Sequence, residues 1–138
     1  DSLVNKESGL AGVSGISGDM RDVMAAADRG DAPAREAIDL FCYQARKHIG
    51  ALSAVLGGLD RLVFTGGIGE HAAAIRGGIA AGTEYLGVEV DHTRNDAHER
   101  VISPDGSPVE VMVIPTNEDL MIAQLVVSTI QAKPQSPR

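Results

Sequence analysis

Residues 61–78, RLVFTGGIGEHAAAIRGG, join a short apolar run to a cluster of glycines and an alanine-rich segment. The apolar run 62–64 predicts a short buried β-strand, and the apolar periodicity over 70–86 predicts a helix that ends at Gly87. A strand, a glycine loop and a helix in this order point free backbone N–H groups and the positive end of the helix at one place. This stretch therefore predicts an α/β fold with a loop that suits an anion, above all a phosphate.

The sequence before this stretch predicts two helices. Apolar residues at three- and four-residue steps predict a long helix over 33–59, with Pro33 in its first turn. A shorter helix is predicted ahead of it, with Ser17 or Asp19 as its N-cap and Gly30 at its C-terminal end. Two helices are thus expected to precede the strand.

The sequence after this stretch predicts a hairpin and a last helix. A Pro-Asp-Gly turn lies between two β-rich runs, so residues 100–103 are expected to pair with residues 108–114 as a hairpin. The helix that follows has Thr116 or Asn117 as its cap. The tail, residues 131–138, is expected to be disordered.

Composition limits the class of protein. The chain has 138 residues, of which 43% are hydrophobic and 22% charged, as expected for one soluble globular domain. The net charge of −7 argues against broad contact with nucleic acid or an anionic membrane surface, since either needs a positive surface. The sequence shows neither a membrane-length apolar run nor a signal segment, so a cytoplasmic location is expected. The single cysteine, Cys42, provides no disulfide and is expected to be buried.

The glycine loop admits three interpretations on its residues alone. It lacks the Gly-Lys-Ser/Thr sequence of a Walker A loop. Residues 67–72 satisfy the G-x-G-x-x-G/A pattern of a dinucleotide site, with Glu89 or Asp91 about where a ribose-binding acid is expected. The loop could therefore hold an anion such as a phosphate, bind NAD as part of a dehydrogenase, or form a tight turn that serves packing only.

Three segments resemble the acetate kinase family, which belongs to the actin, sugar kinase and Hsp70 superfold. FTGGIGEHAAAIR resembles the family's glycine loop, and ESGLAGVSGISGDMRDV and VIPTNEDLMIAQL resemble two further segments, in the family's order. The three together cover 43 of the 119 residues from 7 to 125, which is about a third of that span. The resemblance implies that residues 1–130 are the C-terminal part of an actin-like, ribonuclease H-like ATPase domain whose sheet is incomplete in this chain.

The resemblance also implies an activity, with ATP/ADP and Mg²⁺ as cofactors. The family transfers a phosphoryl group between ATP and acetate to give acetyl phosphate and ADP, and it uses upstream residues for the short carboxylate. This chain is therefore expected to be part of such a kinase, inactive alone and a homo-oligomer, most simply a dimer. Acetate is not distinguished from propionate. An NAD-binding module and a non-catalytic interaction or structural fragment are the alternatives.

By this resemblance, Asp19, Met20 and Arg21 border the nucleotide. An arginine can pair with a phosphate in fork geometry, and a methionine can lie against a flat base. The same residues also have a purely structural interpretation. Asp19 is favourable at a helix N-terminus, and Arg21 can pair with a neighbouring carboxylate.

The resemblance implies that Gly66, Gly67, Ile68 and Gly69 contact the adenosine through backbone and apolar atoms. His71 is a departure, because the family more commonly has asparagine at this position. An imidazole edge cannot donate and accept at once as an amide does, so His71 is either a changed contact or a solvated histidine on the first helical turn.

Glu118 matches the glutamate that the family places near the ATP-bound magnesium. A carboxylate with water and phosphate oxygens is a normal shell for this cation. The alternative is that Glu118 only benefits from its place in the first turn of a helix. His48, His92 and His98 have no metal-ligand spacing, and no serine lies in a G-x-S-x-G elbow, so neither an all-protein metal site nor a serine hydrolase is predicted.

Overall fold

The computed structural model describes residues 8–131. Its elements in chain order are α1 (Gly9–Ser14), α2 (Met20–Asp28), α3 (Ala32–Leu56), β1 (Arg61–Phe64), α4 (Gly66–His71), α5 (Ala73–Ala80), a 3-10 turn (Glu84–Leu86), α6 (His92–Asp96), β2 (Glu110–Val113) and α7 (Glu118–Gln131). Apart from Gln131, which ends α7, the predicted disordered tail lies outside the described residues.

The two helices predicted ahead of the strand are confirmed as α2 and α3, and the short helix α1, which was not predicted, precedes them. The caps of α2 and α3 explain their bounds. Asp19 is the N-cap of α2, where its Oδ1 accepts a hydrogen bond from the Arg21 backbone N–H at 2.9 Å. Asp31 caps α3 in the same way, through the Ala34 N–H at 2.8 Å. The αL conformation of Gly57, with φ of 78°, ends α3 because this backbone is costly for residues that carry a Cβ.

The predicted single helix over 70–86 is wrong. The glycine cluster is itself helical, as α4, and Ala72 then leaves the helical region with φ of −109° and ψ of 81°. The short helix α5 stops at Ala80, because Gly82 takes a φ of 89° and its N–H donates to the Glu84 carboxylate at 2.9 Å. A 3-10 turn follows, and Gly87 ends it where the sequence predicts the stop.

The predicted hairpin is largely replaced by a parallel pair. β2 pairs with β1 in parallel register, from Arg61 opposite Glu110 to Phe64 opposite Val113. On its other side β2 retains one antiparallel bridge, Val101 to Met112.

Side-chain competition explains why this second ladder is so short. The Val111 N–H donates to Ser103 Oγ at 3.1 Å instead of to the carbonyl of Ile102. That carbonyl accepts from the Asp91 N–H at 2.8 Å. Both groups that would extend the hairpin ladder are therefore already paired.

The main apolar core combines side chains of the two strands with side chains of helices α2, α3 and α5 and of the loops between them. Its buried members are Met20, Cys42, Phe64, Ala72, Ile75, Ile79, Ala80, Val88, Ile102, Val109, Val111 and Val113. The prediction that β1 is buried holds for one face only, since Val63 is 42% exposed. Cys42 is buried as predicted, and burial raises the pKa of its thiol. A Cβ on Gly78 would lie 3.0 Å from Cys42 Sγ, so the glycine allows α5 to approach α3 closely.

The last helix carries apolar side chains on all sides. Leu120 and Val127, seven positions apart on this helix, are 51% and 52% exposed. The other large apolar residues of α7 are similarly exposed: Met121, Ile122, Leu125, Val126 and Ile130. Across residues 8–131, no helix combines the length and apolar character that a membrane crossing requires.

Candidate functional site

A cavity of about 660 Å³ lies between helices α2 and α4. Its walls are mostly apolar, with a few charged side chains, as is usual for small-molecule sites. The lining residues are Asp19, Met20, Arg21, Met24, Ala25, Asp28, Gly67, Ile68, His71 and Ala72.

The α2 wall is one helical face. Counted from Arg21, the residues Met24, Ala25 and Asp28 lie three, four and seven positions further along, so all four share one side of the helix. Arg21 and Asp28 lie about 10 Å apart along the helix axis, at 1.5 Å per residue. The wall therefore has a cation near the first turn of α2, apolar side chains in the middle and a carboxylate at the far end. This order of charges fits a ligand with an anionic end and a flat apolar body.

The α4 wall consists of Gly67, Ile68 and His71, which lie close to one another on this short helix. Gly66 and Gly69, also predicted to contact the nucleotide, are not among the lining residues. A Cβ on Gly69 would lie 3.1 Å from the Phe64 carbonyl carbon, so this glycine lets α4 pack against the end of β1.

The structure therefore brings together most of the residues predicted to contact a nucleotide and adds others. The predicted residues at the cavity are Asp19, Met20, Arg21, Gly67, Ile68 and His71. The sequence reasoning missed Met24, Ala25, Asp28 and Ala72. The helical period could have found the α2 members, because Met24 and Ala25 follow Arg21 by three and four residues.

Asp19 and Arg21 form a close ion pair at the mouth of the cavity. Arg21 Nη2 lies 2.5 Å from Asp19 Oδ2, and Arg21 Nε lies 3.0 Å from Asp19 Oδ1. The side-chain and backbone hydrogen bonds from Arg21 lower the pKa of Asp19 to about 2. The Arg21 side chain is 90% exposed, so it pairs with a neighbouring carboxylate, as the structural interpretation expects, and remains accessible to an anion.

Helix α4 is attached to the start of α7 by one threonine. Thr116 Oγ1 accepts from the Gly66 N–H at 3.2 Å and donates to Glu70 Oε1 at 2.7 Å. The Thr116 N–H donates to the same carboxylate oxygen at 2.9 Å. These bonds from Thr116 lower the pKa of Glu70.

The other end of α4 is held by a buried arginine. The Arg76 side chain is fully buried, and its Nη1 donates to the carbonyls of Gly69 and Glu70 at 2.9 and 3.0 Å. Its Nε donates to Asn95 Oδ1 at 2.7 Å. Burial lowers the pKa of Arg76. Sequence reasoning gave this residue no role, since a single arginine within an alanine-rich helix carries no signal of burial.

Glu118 and Asp91, the residues considered for magnesium and for a ribose, each lie at the start of a helix. Glu118 is the first residue of α7, two positions after Thr116. Asp91, a candidate ribose-binding acid, caps α6 through the Arg94 N–H at 3.0 Å, so its carboxylate is engaged. In the described part of the chain, no three His, Cys, Asp or Glu side chains converge on a point where they could hold a metal ion.

A glycine-rich helix that follows a parallel strand and faces an apolar cavity with an arginine at its mouth has the features of a site for a small anionic ligand. The family model described as the acetokinase family matches residues 1–124. The chain belongs to this family.

Individual relatives agree with this assignment. The chain is 48% identical to acetate kinase 2 of Clostridium perfringens over 94% of its own length and 33% of that protein. The crystal structure of Porphyromonas gingivalis acetate kinase superposes with a TM-score of 0.86 at 38% identity, covering 94% of this chain and 33% of that one. The crystal structure of a propionate kinase from Francisella tularensis superposes with a TM-score of 0.82 at 44% identity, covering 89% of this chain and 32% of that one.

The chain spans about a third of the length of the curated relatives it matches. The predicted fold class is confirmed: an α/β part of an actin-like ATPase fold, with a sheet of two strands among the described residues.

Proposed function

We propose that this chain is the nucleotide-binding part of an enzyme that transfers a phosphoryl group between ATP and acetate, giving acetyl phosphate and ADP. Family membership supports this class of reaction. The observation that carries the proposal is the cavity between α2 and α4, because it combines apolar walls with one accessible arginine. Phosphoryl transfer depends on positioning and charge neutralisation, which such a cavity can supply for the nucleotide.

The nucleotide would lie along the α2 wall. Met20, Met24 and Ile68 offer apolar contact to the base and ribose, and Arg21 can pair with a phosphate through two parallel hydrogen bonds. Asp19 already holds the guanidinium in this forked geometry, so a phosphate would replace Asp19 without requiring a new side-chain position. Gly67 leaves room for the ligand, since a Cβ there would meet no atom within 4 Å.

Glu118 is proposed to lie near the magnesium that accompanies the phosphates. The link from Thr116 to α4 keeps the start of α7 attached to a wall of the cavity, which favours this role. A Mg²⁺ ion that accepts one protein carboxylate would complete its octahedral shell with phosphate oxygens and water.

The chain is proposed to be inactive alone and to require the rest of a longer protein for the acceptor. Among the residues that line the cavity, Arg21 is the only arginine or lysine, and transfer needs cations on the moving group as well as an acceptor held in line. The acceptor is a short carboxylate, acetate or propionate. The exposed apolar surface supports a homo-oligomer.

Thermal shift tests the proposal, because a ligand that binds only the folded state raises its stability. The melting temperature is measured with Mg-ADP, Mg-ATP, NAD and buffer alone. We expect both magnesium nucleotides to raise the melting temperature. At a ligand concentration a hundred times the dissociation constant, binding adds about 2.7 kcal/mol to the free energy of unfolding. A rise with NAD alone would instead identify a dinucleotide module, and no rise with any ligand would favour a non-catalytic fragment.

A further inference from the structure

We propose that Glu70 is a positioning residue that couples the α4 wall of the cavity to the start of α7, so that nucleotide and magnesium binding depend on each other through it. The inference rests on the proposed function. It concerns a residue that lies outside the cavity lining and would touch neither ligand.

A closed hydrogen-bonded ring carries the proposal. The Gly66 N–H donates to Thr116 Oγ1, whose single proton is directed to Glu70 Oε1 at 2.7 Å. Gly66 and Glu70 are four residues apart on α4, so the threonine side chain spans the first turn of this helix. The Thr116 N–H adds a second bond to the same oxygen at 2.9 Å. One carboxylate oxygen thus fixes both the main chain and the side chain of Thr116.

The ring lies beyond the last hydrogen bond between the strands. The Ile114 N–H donates to the Phe64 carbonyl at 2.9 Å, and the strand pairing goes no further. The path of residues 115–117 therefore depends on the bonds from Thr116 to α4. Asn117 then caps α7 through the Leu120 N–H at 2.9 Å, and Glu118 follows directly. A shift of α4 would be transmitted to Glu118 across a single intervening residue.

Glu70 is also fixed through its backbone, which makes it a firm point of attachment. Its carbonyl accepts from Arg76 Nη1 at 3.0 Å, and His98 Nδ1 lies 3.0 Å from the same oxygen. The cavity-lining residues Ile68 and His71 belong to the same six-residue helix. Any movement of this helix on nucleotide binding would therefore carry the Glu70 carboxylate with it.

Two pairs of substitutions in the 138-residue chain test the coupling. Thr116→Val keeps the shape of the side chain and removes both hydroxyl bonds, whereas Thr116→Ser keeps the hydroxyl. Glu70→Ala removes the acceptor, whereas Glu70→Gln keeps an acceptor oxygen. Glu84→Ala is the matched control, because Glu84 also accepts a backbone N–H, from Gly82, but does not line the cavity.

The measured quantity is the ratio of the ADP dissociation constants without and with Mg²⁺, by titration calorimetry. We expect Thr116→Val and Glu70→Ala to reduce this ratio by about tenfold, the lower end of the effect of losing a hydrogen bond to a charged group. Thr116→Ser, Glu70→Gln and Glu84→Ala should keep the ratio. A double variant, Thr116→Val with Glu70→Ala, should lose less than the two single variants predict together, since both weaken the same link. An unchanged ratio in folded Thr116→Val and Glu70→Ala overturns the proposal.

Hydrogen exchange of the ligand-free chain gives a second, independent reading. If the link couples the two elements, Thr116→Val should speed amide exchange in α4 and in the first turn of α7 together. Unchanged exchange in both segments would contradict the proposal whether or not the chain binds nucleotide. Failure of the unsubstituted chain to bind ADP would instead count against the proposed function, so the two failures are distinguishable.

Discussion

At the scale of single residues, Asp19 has two roles that the sequence predicts separately. It caps α2, and it holds the Arg21 guanidinium in a forked ion pair at the cavity mouth. Exposed ion pairs contribute little to stability, so exchanging this partner for a phosphate should cost little. The structural and the ligand-binding interpretations of Arg21 are therefore compatible, and the pair keeps the side chain in a conformation ready for an anion.

The lining of the candidate site was predicted where the chain resembles acetate kinases. Arg21, Gly67 and Ile68 belong to segments that carry this resemblance, and all three line the cavity. Asp28 was predictable only from the helical period of α2, and Arg76 was not predictable. Asp28 comes to the cavity only because α2 is regular over its whole length, and Arg76 acts through a buried network that joins residues far apart in the chain.

Replacement of Arg21 tests the phosphate contact. We expect Arg21→Gln to weaken ADP binding about tenfold, because a charge-assisted hydrogen bond to phosphate is lost. The affinity for adenosine, which has no phosphate, should stay within a factor of two. Arg29→Gln is the control, since Arg29 follows α2 and does not line the cavity. Equal losses for ADP and adenosine would assign Arg21 to the fold instead.

Replacement of Glu118 tests the magnesium contact. The amide in Glu118→Gln keeps the shape of the side chain and loses its charge, so magnesium should enhance ADP binding less while the melting temperature is preserved. Asp119→Asn, the next residue in the same first turn, is the matched control for the helix dipole. A magnesium titration that is the same for the unsubstituted chain and Glu118→Gln would refute the role.

At the scale of elements, the ends of α3 were predicted well, whereas the breaks within residues 70–86 and the pairing of the strands were not. Local signals such as Pro33 and Gly57 specify where α3 begins and ends, because caps and breakers act over a few residues. The parallel pairing of β1 with β2 carries no such signal. Ser103 shows the difficulty: its hydroxyl competes for the Val111 N–H, and this contact is invisible in a pattern of apolar and polar residues.

Two glycines of α4 provide a matched pair for its packing. Gly69→Ala places a Cβ 3.1 Å from backbone of Phe64, so it should lower the free energy of unfolding by about 1–3 kcal/mol. Gly67→Ala meets open space on the same helix and should be neutral or stabilising by up to about 1 kcal/mol. Urea denaturation of both variants measures the difference. Equal stabilities would show that α4 does not pack on β1 as described.

At the scale of the whole molecule, the exposed apolar surface sets this chain apart from an ordinary single domain. Helix α7 is apolar on all sides, and a helix of this kind is normally buried. Val63 on β1 is exposed as well. A chain that spans about a third of its relatives' length, with this surface uncovered, is expected to associate with itself.

Sedimentation velocity tests the self-association. We expect the sedimentation coefficient to rise with protein concentration in the micromolar range, and Leu125→Lys on α7 to reduce the rise, because a charge is costly in an apolar contact. Gln124→Lys adds the same charge at the adjacent position and should have a smaller effect. A single monomeric species at every concentration would contradict the expectation.

The proposed need for further chain is tested by an activity assay. ATP and acetate are incubated with the 138-residue chain, and hydroxylamine traps any acyl phosphate. We expect a rate at least about 10⁵-fold below that of a full-length relative such as acetate kinase 2 of Clostridium perfringens, since the effective concentration of a positioned acceptor is lost. A rate comparable with that of the relative would show that this chain holds a complete active site.

The parallel pairing of β1 with β2 has a consequence for synthesis on the ribosome. Arg61 and its partner Glu110 are separated by 49 residues, whereas α2 and α3 are joined by a short turn and can pack as soon as both have emerged. At translation rates of 5–20 residues per second, β1 is exposed for roughly 3 to 10 seconds before β2 leaves the exit tunnel. During that interval the edge of β1 that pairs with β2 stays open beside a folded helical pair, and this is the species that a ribosome-associated chaperone would meet.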